Sequence, residues 1–423
     1  MQQKVVFKSK GLNCSGLFYL PDNFYSATDD MKLPAIAMAH GMGTTKEVGL
    51  PQYAERFAAA GFAVLLFDFR NLGESEGTPR GQIFAEDQQE DYRNAITWLQ
   101  LQPQIDPERI GVWGFSFSGG HVLQVAAFDR RIKCVVAQVP AVSGFLTAQR
   151  SNTPSDLYGV GMMLSQDRIR RYETGEVNYI PFVAPPGQPC FFPSSEEARE
   201  FFAAAQVASE GRFENRITLE SLERLSHFEP AVRIDAISPT PLRMILAKKD
   251  FLIPADIALA AYARAHEPKS LVFLEGGHLG KSEGEDFETA SSAARDWFVQ
   301  WLKPCKVEAA HPPVVDGIPQ ISVQELKRKL DAKEDVFVLD VREPHEHKIA
   351  NLGAPLIPVG NIERRTSELA DKKNSEIVVY CKAGVRSQRA ALALKQAGFT
   401  NILNLAGGIL AWAEKIDPSM PTS

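Results

Sequence analysis

Two residues in this chain stand where a nucleophile is useful, at the end of an apolar run and followed by small residues. Ser116 lies in Ile110-Gly111-Val112-Trp113-Gly114-Phe115-Ser116-Phe117-Ser118-Gly119-Gly120. Cys381 lies in Ile377-Val378-Val379-Tyr380-Cys381-Lys382-Ala383-Gly384-Val385-Arg386-Ser387. A serine attacks an acyl carbon only if a base takes its proton, an acid orients that base, and N–H donors receive the oxyanion. A sharp strand-to-helix turn exposes the hydroxyl, and small flanking residues let the backbone pass through it. Ser118 competes for the role, in a frame flanked by Ser116 and Gly120, and it stands where the strict pattern has Gly. Ser116 is preferred because the run 110–113 ends where such a turn must begin.

Partners for Ser116 follow later apolar runs. Asp250 follows 242–247 in Lys248-Lys249-Asp250-Phe251-Leu252-Ile253-Pro254, and His278 follows 271–274 in Glu275-Gly276-Gly277-His278. No carboxylate follows the run ending at Val139, which leaves Asp250 as the candidate acid. His40-Gly41-Met42-Gly43 follows the run 35–39 and is suited to supply an oxyanion donor. The main-chain N–H groups of Met42 and Phe117 are the expected donors, with His40 and Gly41 as supporting residues. His40 is read as structural and His121 as a packing residue, while Asp68-Phe69-Arg70-Asn71-Leu72-Gly73-Glu74-Ser75 is expected to buttress the site.

The cysteine centre asks for different chemistry. Cys381 opens a six-residue turn, 381–386, whose backbone N–H groups can curl inward as an anion cradle around Lys382, Gly384, Val385 and Arg386. The charges of Lys382 and Arg386 and a helix starting near Ser387 lower a thiol pKa, which favours a thiolate or persulfide.

Alternating strands and helices must position these groups. The first 300 or so residues read as an amino-terminal hairpin (5–8 and 16–20), then strands at 35–39, 63–68, 110–113, 134–139, 242–247 and 271–274, with a helix over 84–101. That is an α/β fold with a wound, mostly parallel sheet. Roughly a hundred residues separate the strand at 134–139 from the one at 242–247, where a single helix would suffice. The interval, about 141–238, is read as a cap inserted over a substrate pocket. It holds Met162-Met163-Leu164, the Pro-rich Pro181-Phe182-Val183-Ala184-Pro185-Pro186, and expected helices at 195–208 and 218–226. Its aromatic residues Phe145, Tyr158, Tyr179, Phe182, Phe191 and Phe192 favour a hydrophobic acyl group. Residues 303–317, aperiodic and containing His311-Pro312-Pro313, read as a linker, and a second, smaller α/β domain fills 318–423.

Composition agrees with two domains. The 423 residues exceed what one core organises, and 44% hydrophobic with 23% charged residues is ordinary for a globular chain. A net charge of −6 argues against a nucleic-acid or anionic-membrane surface. The start lacks the apolar core of a signal peptide, and the apolar runs are too short to span a bilayer. Five cysteines (Cys14, Cys134, Cys190, Cys305, Cys381) have neither zinc nor disulfide spacing, so a reducing cytoplasm is the simplest reading. No metal or cofactor is implied by either centre.

With their Ser, Asp, His order, the residues of 1–302 resemble the α/β-hydrolase superfamily, in the branch whose elbow reads Gly-x-Ser-x-Ser-Gly-Gly. That branch includes dienelactone-hydrolase-like esterases, acyl-peptidase catalytic domains and polyketide acyltransferase-like proteins. Residues 318–423 resemble a single rhodanese domain of the type appended to molybdopterin-synthase-activating enzymes. The matching marks are Val338-Leu339-Asp340-Val341-Arg342-Glu343, the 381–386 loop, Asn404-Leu405-Ala406-Gly407-Gly408-Ile409-Leu410-Ala411-Trp412, and Ile416-Asp417-Pro418-Ser419-Met420-Pro421. Where that family has His-x-x-Gly-Ala, this chain reads His347-Lys348-Ile349-Ala350-Asn351-Leu352-Gly353-Ala354.

The resemblance implies a bifunctional enzyme. One centre would hydrolyse an ester or thioester of a small acyl group. In the other, Cys381 would carry sulfane sulfur from thiosulfate or a protein persulfide to a thiol acceptor, with Arg386 on the donor and Asp340 and Arg342 bracing the loop. The alternatives are a hydrolase with a docking or sulfur-sensing module, or an acyltransferase that passes its acyl group to sulfur. The residues specify neither the acceptor nor an oligomeric state.

Overall fold

The computed structural model describes residues 1–22, 32–193, 195–279, 284–303, 314–417 and 419–421. Contacts divide the chain into two units, Met1–Cys305 and Lys306–Ser423.

In the first unit an antiparallel hairpin, β1 (Gln2–Ser9) and β2 (Leu12–Tyr19), leads into β3 (Leu33–Ala39), β4 (Ala63–Phe67), β5 (Ile105–Phe115) and β6 (Ile132–Gln138). The cap contributes the short pair β7 (Tyr179–Ile180) and β8 (Ile217–Thr218), and β9 (Leu242–Ala247) and β10 (Lys269–Leu274) complete the main sheet. Its eight strands run in the order β1-β2-β4-β3-β5-β6-β9-β10, antiparallel as far as β4 and parallel from there.

Every residue of β3 and β4 is buried, as expected of parallel strands covered on both faces. Side chains alternate between two cores. Ala35, Ala37 and Ala39 face the layer of helices Ala85–Gln100 and Phe117–Phe128, whereas Ile36 and Met38 face Pro51–Ala59 and Glu285–Leu302. The parallel strands share one carboxyl edge, so the loops after β3, β5, β9 and β10 gather there.

Among its described residues, the interval between β6 and β9 holds four α-helices, Gly144–Ser151, Pro154–Thr174, Glu196–Ala208 and Leu219–Leu225. The last two match the sequence expectation; the first two were not anticipated. Pro154–Thr174 is set by local chemistry, with Thr153 and Asp156 forming a capping box and Gly175 (φ 73°) ending it in the left-handed region. Its one buried residue is Asp167, so it lacks the apolar stripe that betrays a helix in sequence. Phe182 anchors the cap, stacked on Phe202 at 5.7 Å between ring centres and touching Phe191, Phe192 and Phe213.

The second unit is a five-stranded sheet made of β11 (Val314–Val315), β12 (Ile318–Ile321), β13 (Val336–Asp340), β14 (Glu376–Tyr380) and β15 (Ile402–Leu405), in the order β11-β12-β15-β14-β13. All pairs are parallel except β11 with β12. The expected linker 303–317 thus ends in a strand, because Asp316 and Gly317, both at positive φ, turn Val314–Val315 back onto β12. Residues 304–313 of that segment lie outside the described residues. Among the described residues no helix is long and apolar enough to cross a membrane.

Candidate active sites

Ser116 sits between β5 and the helix Phe117–Phe128 with φ 58° and ψ −114°, a strained conformation for a residue with a Cβ. Main-chain bonds over-determine it: Ser116 N–H donates to Gln138 O at 2.9 Å, and Ala141 N–H donates to Ser116 O at 2.9 Å. Neighbouring glycines make room. A Cβ on Gly114 would lie 2.2 Å from Ser118 O, and one on Gly120 2.3 Å from Ala141 O.

Around this turn the structure assembles a continuous hydrogen-bonded chain. Ser116 Oγ lies 2.8 Å from His278 Nε2, and His278 Nδ1 lies 2.7 Å from Asp250 Oδ2. Asp250 Oδ1 accepts from the N–H groups of Leu252 and Ile253 at 3.0 and 2.7 Å, which fixes the orientation of the carboxylate. The imidazole is therefore aimed at the hydroxyl with its proton on Nδ1. Ser118 has no such partner. Its buried Oγ accepts from Phe115 N–H and donates to Ala39 O, both at 2.8 Å, so it ties β5 to β3 beneath the turn.

The loop after β3, where the sequence places the oxyanion donors, packs beside the elbow. Gly41 packs against the elbow, since a Cβ there would stand 3.3 Å from Ser116 Cβ. Met42 lines the cavity over Ser116. Phe117 begins its helix, so its N–H has no acceptor inside that helix. His40 is fully buried: Nδ1 bonds Gly41 O at 2.9 Å, and Nε2 accepts from Phe69 N–H at 3.4 Å. Burial lowers its pKa, outweighing the nearby Asp68, and the ring stays neutral and structural. His121 is walled in by Phe69, Phe117 and Phe228 and bonds Gln88 Oε1 at 2.9 Å; burial pushes its pKa down to about 3.

Sequence reasoning missed Lys46. It is fully buried, yet its Nζ meets Asp68 at 2.7 Å and Glu74 and Glu47 at 2.9 Å. Burial opposes its charge, but the carboxylates win and hold its pKa above the ordinary lysine value. The hydrogen bond from Lys46 holds Glu74 down at about 2. Lys46 N–H also donates to Asp68 Oδ1 at 2.7 Å, so the segment 68–75 clamps the loop that carries Met42, as the sequence anticipated. The only advance signal was a lysine close behind His40-Gly41-Met42-Gly43.

A cavity opens over Ser116 and His278. Leu50, Tyr53, Val139, Leu274 and Phe287 form one wall, and Phe192, Phe201 and Phe202 of the cap form another. This corrects the aromatic expectation. Of the six cap aromatics singled out, Phe192 alone lines the cavity; Phe145 and Tyr158 are exposed, and Phe182 is spent on the cap core.

In the second unit Cys381 is 1% exposed at the end of β14. Gly384 N–H donates to its Sγ at 3.1 Å and Ser387 Oγ–H at 3.3 Å. Burial pushes the thiol up, but the Ser387 hydroxyl and the N–H groups of Ser387, Ala383 and Gly384 outweigh it, and the net shift is downward. Gly384 takes φ 96° to start the helix Val385–Gln396, while Val385 and Lys382 face solvent. A Cβ on Gly408 would lie 2.4 Å from Cys381 O, so the helix Gly408–Lys415 can approach the loop only with glycine there.

Arg386 does not stand free over the loop. Both its terminal nitrogens donate to Glu346 at 2.7 Å, and Arg386 in turn holds Glu346 down at about 2. Asp340 accepts from Arg342 Nη2 at 2.8 Å and lies 2.9 Å from His347 Nδ1, bracing the segment that delivers Glu346. The divergent stretch after His347 still packs: Asn351 donates to His347 O at 3.0 Å and accepts from Gly353 N–H at 2.8 Å. Glu346 and Ser387 were not anticipated. Among the described residues no cluster of three or more His, Cys, Asp or Glu could hold a metal.

A mostly parallel eight-stranded sheet, with a serine on its strand-to-helix turn and Asp and His on later loops, defines an α/β-hydrolase. Comparison with known proteins agrees. Residues 17–170 match the X-Pro dipeptidyl-peptidase (S15 family) model, and residues 322–415 match the rhodanese-like domain. The chain is 32% identical over 304 residues to the quorum-quenching protein AidA of Acinetobacter baumannii, covering 71% of this chain and 95% of that protein. It is 31% identical to the thiohydrolase aneE of Aspergillus aculeatus, over 62% of this chain and 83% of that protein. The crystal structure of the α/β-hydrolase GrgF from Penicillium sp. sh18 is similar with a TM-score of 0.61 and 27% identity, over 71% of this chain and 99% of that one. The chain belongs to the α/β-hydrolase superfamily and carries a rhodanese-like domain after its hydrolase fold.

Proposed function

We propose that the first unit is a serine hydrolase for esters or thioesters of a hydrophobic acyl group. His278 Nε2 takes the Ser116 proton as Oγ attacks the carbonyl carbon, and Asp250 steadies the imidazolium. The Met42 and Phe117 N–H groups receive the oxyanion. The leaving alcohol or thiol takes the proton back from His278. Water, deprotonated by the same ring, then releases the acid and restores Ser116.

The observation that carries this is the Asp250–His278–Ser116 chain at 2.7 and 2.8 Å, on a turn where Ser116 is held at positive φ. The apolar and aromatic cavity walls support an apolar acyl group, and two relatives named as thiohydrolases support thioesters. Relatives named as polyketide transferases and an acyltransferase support a second outcome, in which an alcohol or thiol replaces water in deacylation.

For the second unit the proposal is sulfur transfer. The Cys381 thiolate attacks the outer sulfur of thiosulfate or a persulfide, sulfite or a thiol leaves, and the bound sulfane sulfur passes to a thiol. The lowered thiol pKa and the inward N–H groups support this reading.

An ester and thioester panel on wild type, Ser116→Ala and Cys381→Ser tests both. Turnover is expected to vanish in Ser116→Ala alone, and persulfide formation from thiosulfate in Cys381→Ser alone. Persisting hydrolysis in Ser116→Ala overturns the first reading. Absence of persulfide and of sulfur release in wild type overturns the second and favours a docking module. A product that contains sulfur and requires both residues would identify transfer of the acyl group to sulfur.

A further inference from the structure

Gln138 is the last residue of β6, and its main-chain oxygen accepts the Ser116 N–H at 2.9 Å. The alternation of β6 gives its side chain the same face as Cys134 and Val136, beside Tyr53. It is 5% exposed and lines the cavity among Leu50, Val139, Leu274 and Phe287. Its Nε2 donates to Tyr53 Oη at 3.0 Å. Its Oε1 has no partner. Of the buried side-chain polar atoms without a partner among the described residues, it is the one whose residue lines this cavity.

An acceptor buried without a donor is costly, and native chains nearly always pair such atoms. An apolar residue at this position would suit a purely hydrocarbon acyl chain better. Gln138 is instead fastened by Tyr53 so that its donor end is used and its acceptor end is not. The residue that holds the backbone of Ser116 thus keeps one unpaired carbonyl oxygen at the wall of the cavity beside Ser116.

We infer that Gln138, oriented by Tyr53, is a specificity-determining residue that selects acyl chains carrying a hydrogen-bond donor, in the simplest case a hydroxyl group. This rests on the acyl-hydrolase reading of Ser116. A hydroxylated chain supplies the donor that Oε1 lacks, whereas a plain chain leaves the acceptor unpaired in the complex. Sites that hydrogen-bond a substrate hydroxyl discriminate strongly against analogues without it, for this reason.

The test is kcat/KM of the full chain on N-acetylcysteamine thioesters of hexanoate, of its 2-, 3-, 4- and 5-hydroxy derivatives, and of 3-oxohexanoate. At least one hydroxylated isomer is expected to exceed hexanoate by tenfold or more. In Gln138→Leu, and in the nearly isosteric Gln138→Met should the first fold poorly, that ratio is expected to fall toward one. Tyr53→Phe, which frees the amide to turn, should lower the ratio as well. A merely structural role would depress all substrates together and leave the ratio in place. Wild type showing no hydroxyl preference at any position, a preference for the oxo chain, or a ratio that survives in the Gln138 variants overturns the inference. Ser116→Ala separates the two levels. Turnover that persists there sinks the hydrolase reading itself, whereas Ser116-dependent turnover without hydroxyl preference sinks only the role of Gln138.

Discussion

At the scale of single residues, the two serines of the elbow have opposite jobs that their spacing alone does not reveal. Ser116 offers its hydroxyl to His278, while Ser118 spends its own on Phe115 N–H and Ala39 O. Ser118→Ala should therefore cost about 1–3 kcal/mol of stability, read from urea unfolding, because a buried N–H loses its acceptor. Its turnover at a permissive temperature should stay far above that of Ser116→Ala; equal loss in both would place the chemistry on Ser118. The cysteine centre gives a second test at this scale. Ser387→Ala removes the hydroxyl that donates to Cys381 Sγ and should move the thiol pKa upward. Iodoacetamide alkylation of Cys381, followed by peptide mass against pH, reads this directly. An unchanged midpoint would mean that the main-chain N–H groups alone hold the thiolate. Glu346 shows why partners were harder to find than nucleophiles. Arg386 was legible as an anion binder from its place in the loop, but its carboxylate comes from 40 residues earlier, and no local pattern joins them.

Elements determine which groups can meet. Ser116, Asp250, His278 and the loop carrying Met42 were legible because each polar residue follows a short apolar run, and parallel strands bring their carboxyl ends to one edge. The cap was legible as an interruption of rhythm but not in its interior. Helix Pro154–Thr174 buries only Asp167, so no apolar period marks it, and the aromatic wall of the cavity proved to be Phe201 and Phe202 together with Phe192. Gln138 was hidden for the opposite reason, as the polar residue closing the apolar run 134–137. The loop after β3 adds a prediction of its own. Lys46→Met leaves Asp68 buried beside an uncharged side chain, and breaking a buried pair by removing one partner costs about 3–5 kcal/mol. The variant should unfold at markedly lower urea and lose kcat more than it raises KM, because the loop holding Met42 N–H is loosened. Unaltered kcat in the folded fraction would show that the clamp is purely structural.

Over the whole molecule, two self-contained units lie in sequence, and 71% of this chain spans 95% of a curated relative. One part of the acid response lies in buried histidines of the first unit. His121 titrates at about 3 when folded against about 6.5 when unfolded, and His40 is lowered too. Between those values the folded state binds fewer protons than the unfolded state. Stability is therefore fully present above about pH 6.5 and is lost as pH falls toward 3, by up to about 1.4 kcal/mol per pH unit for His121, and His40 adds a loss of the same sign. His121→Gln, which keeps a donor for Gln88, should show a smaller drop in urea midpoint between pH 7 and pH 5 than wild type; an equal or larger drop would contradict the assignment. The central claim is that Ser116 is the nucleophile of a serine hydrolase. It is tested most directly by labelling the full chain with a fluorophosphonate and locating the adduct by peptide fragmentation. One adduct is expected, on Ser116, absent from Ser116→Ala and strongly slowed in His278→Ala. An adduct on Ser118, or one that persists in Ser116→Ala, would contradict the account.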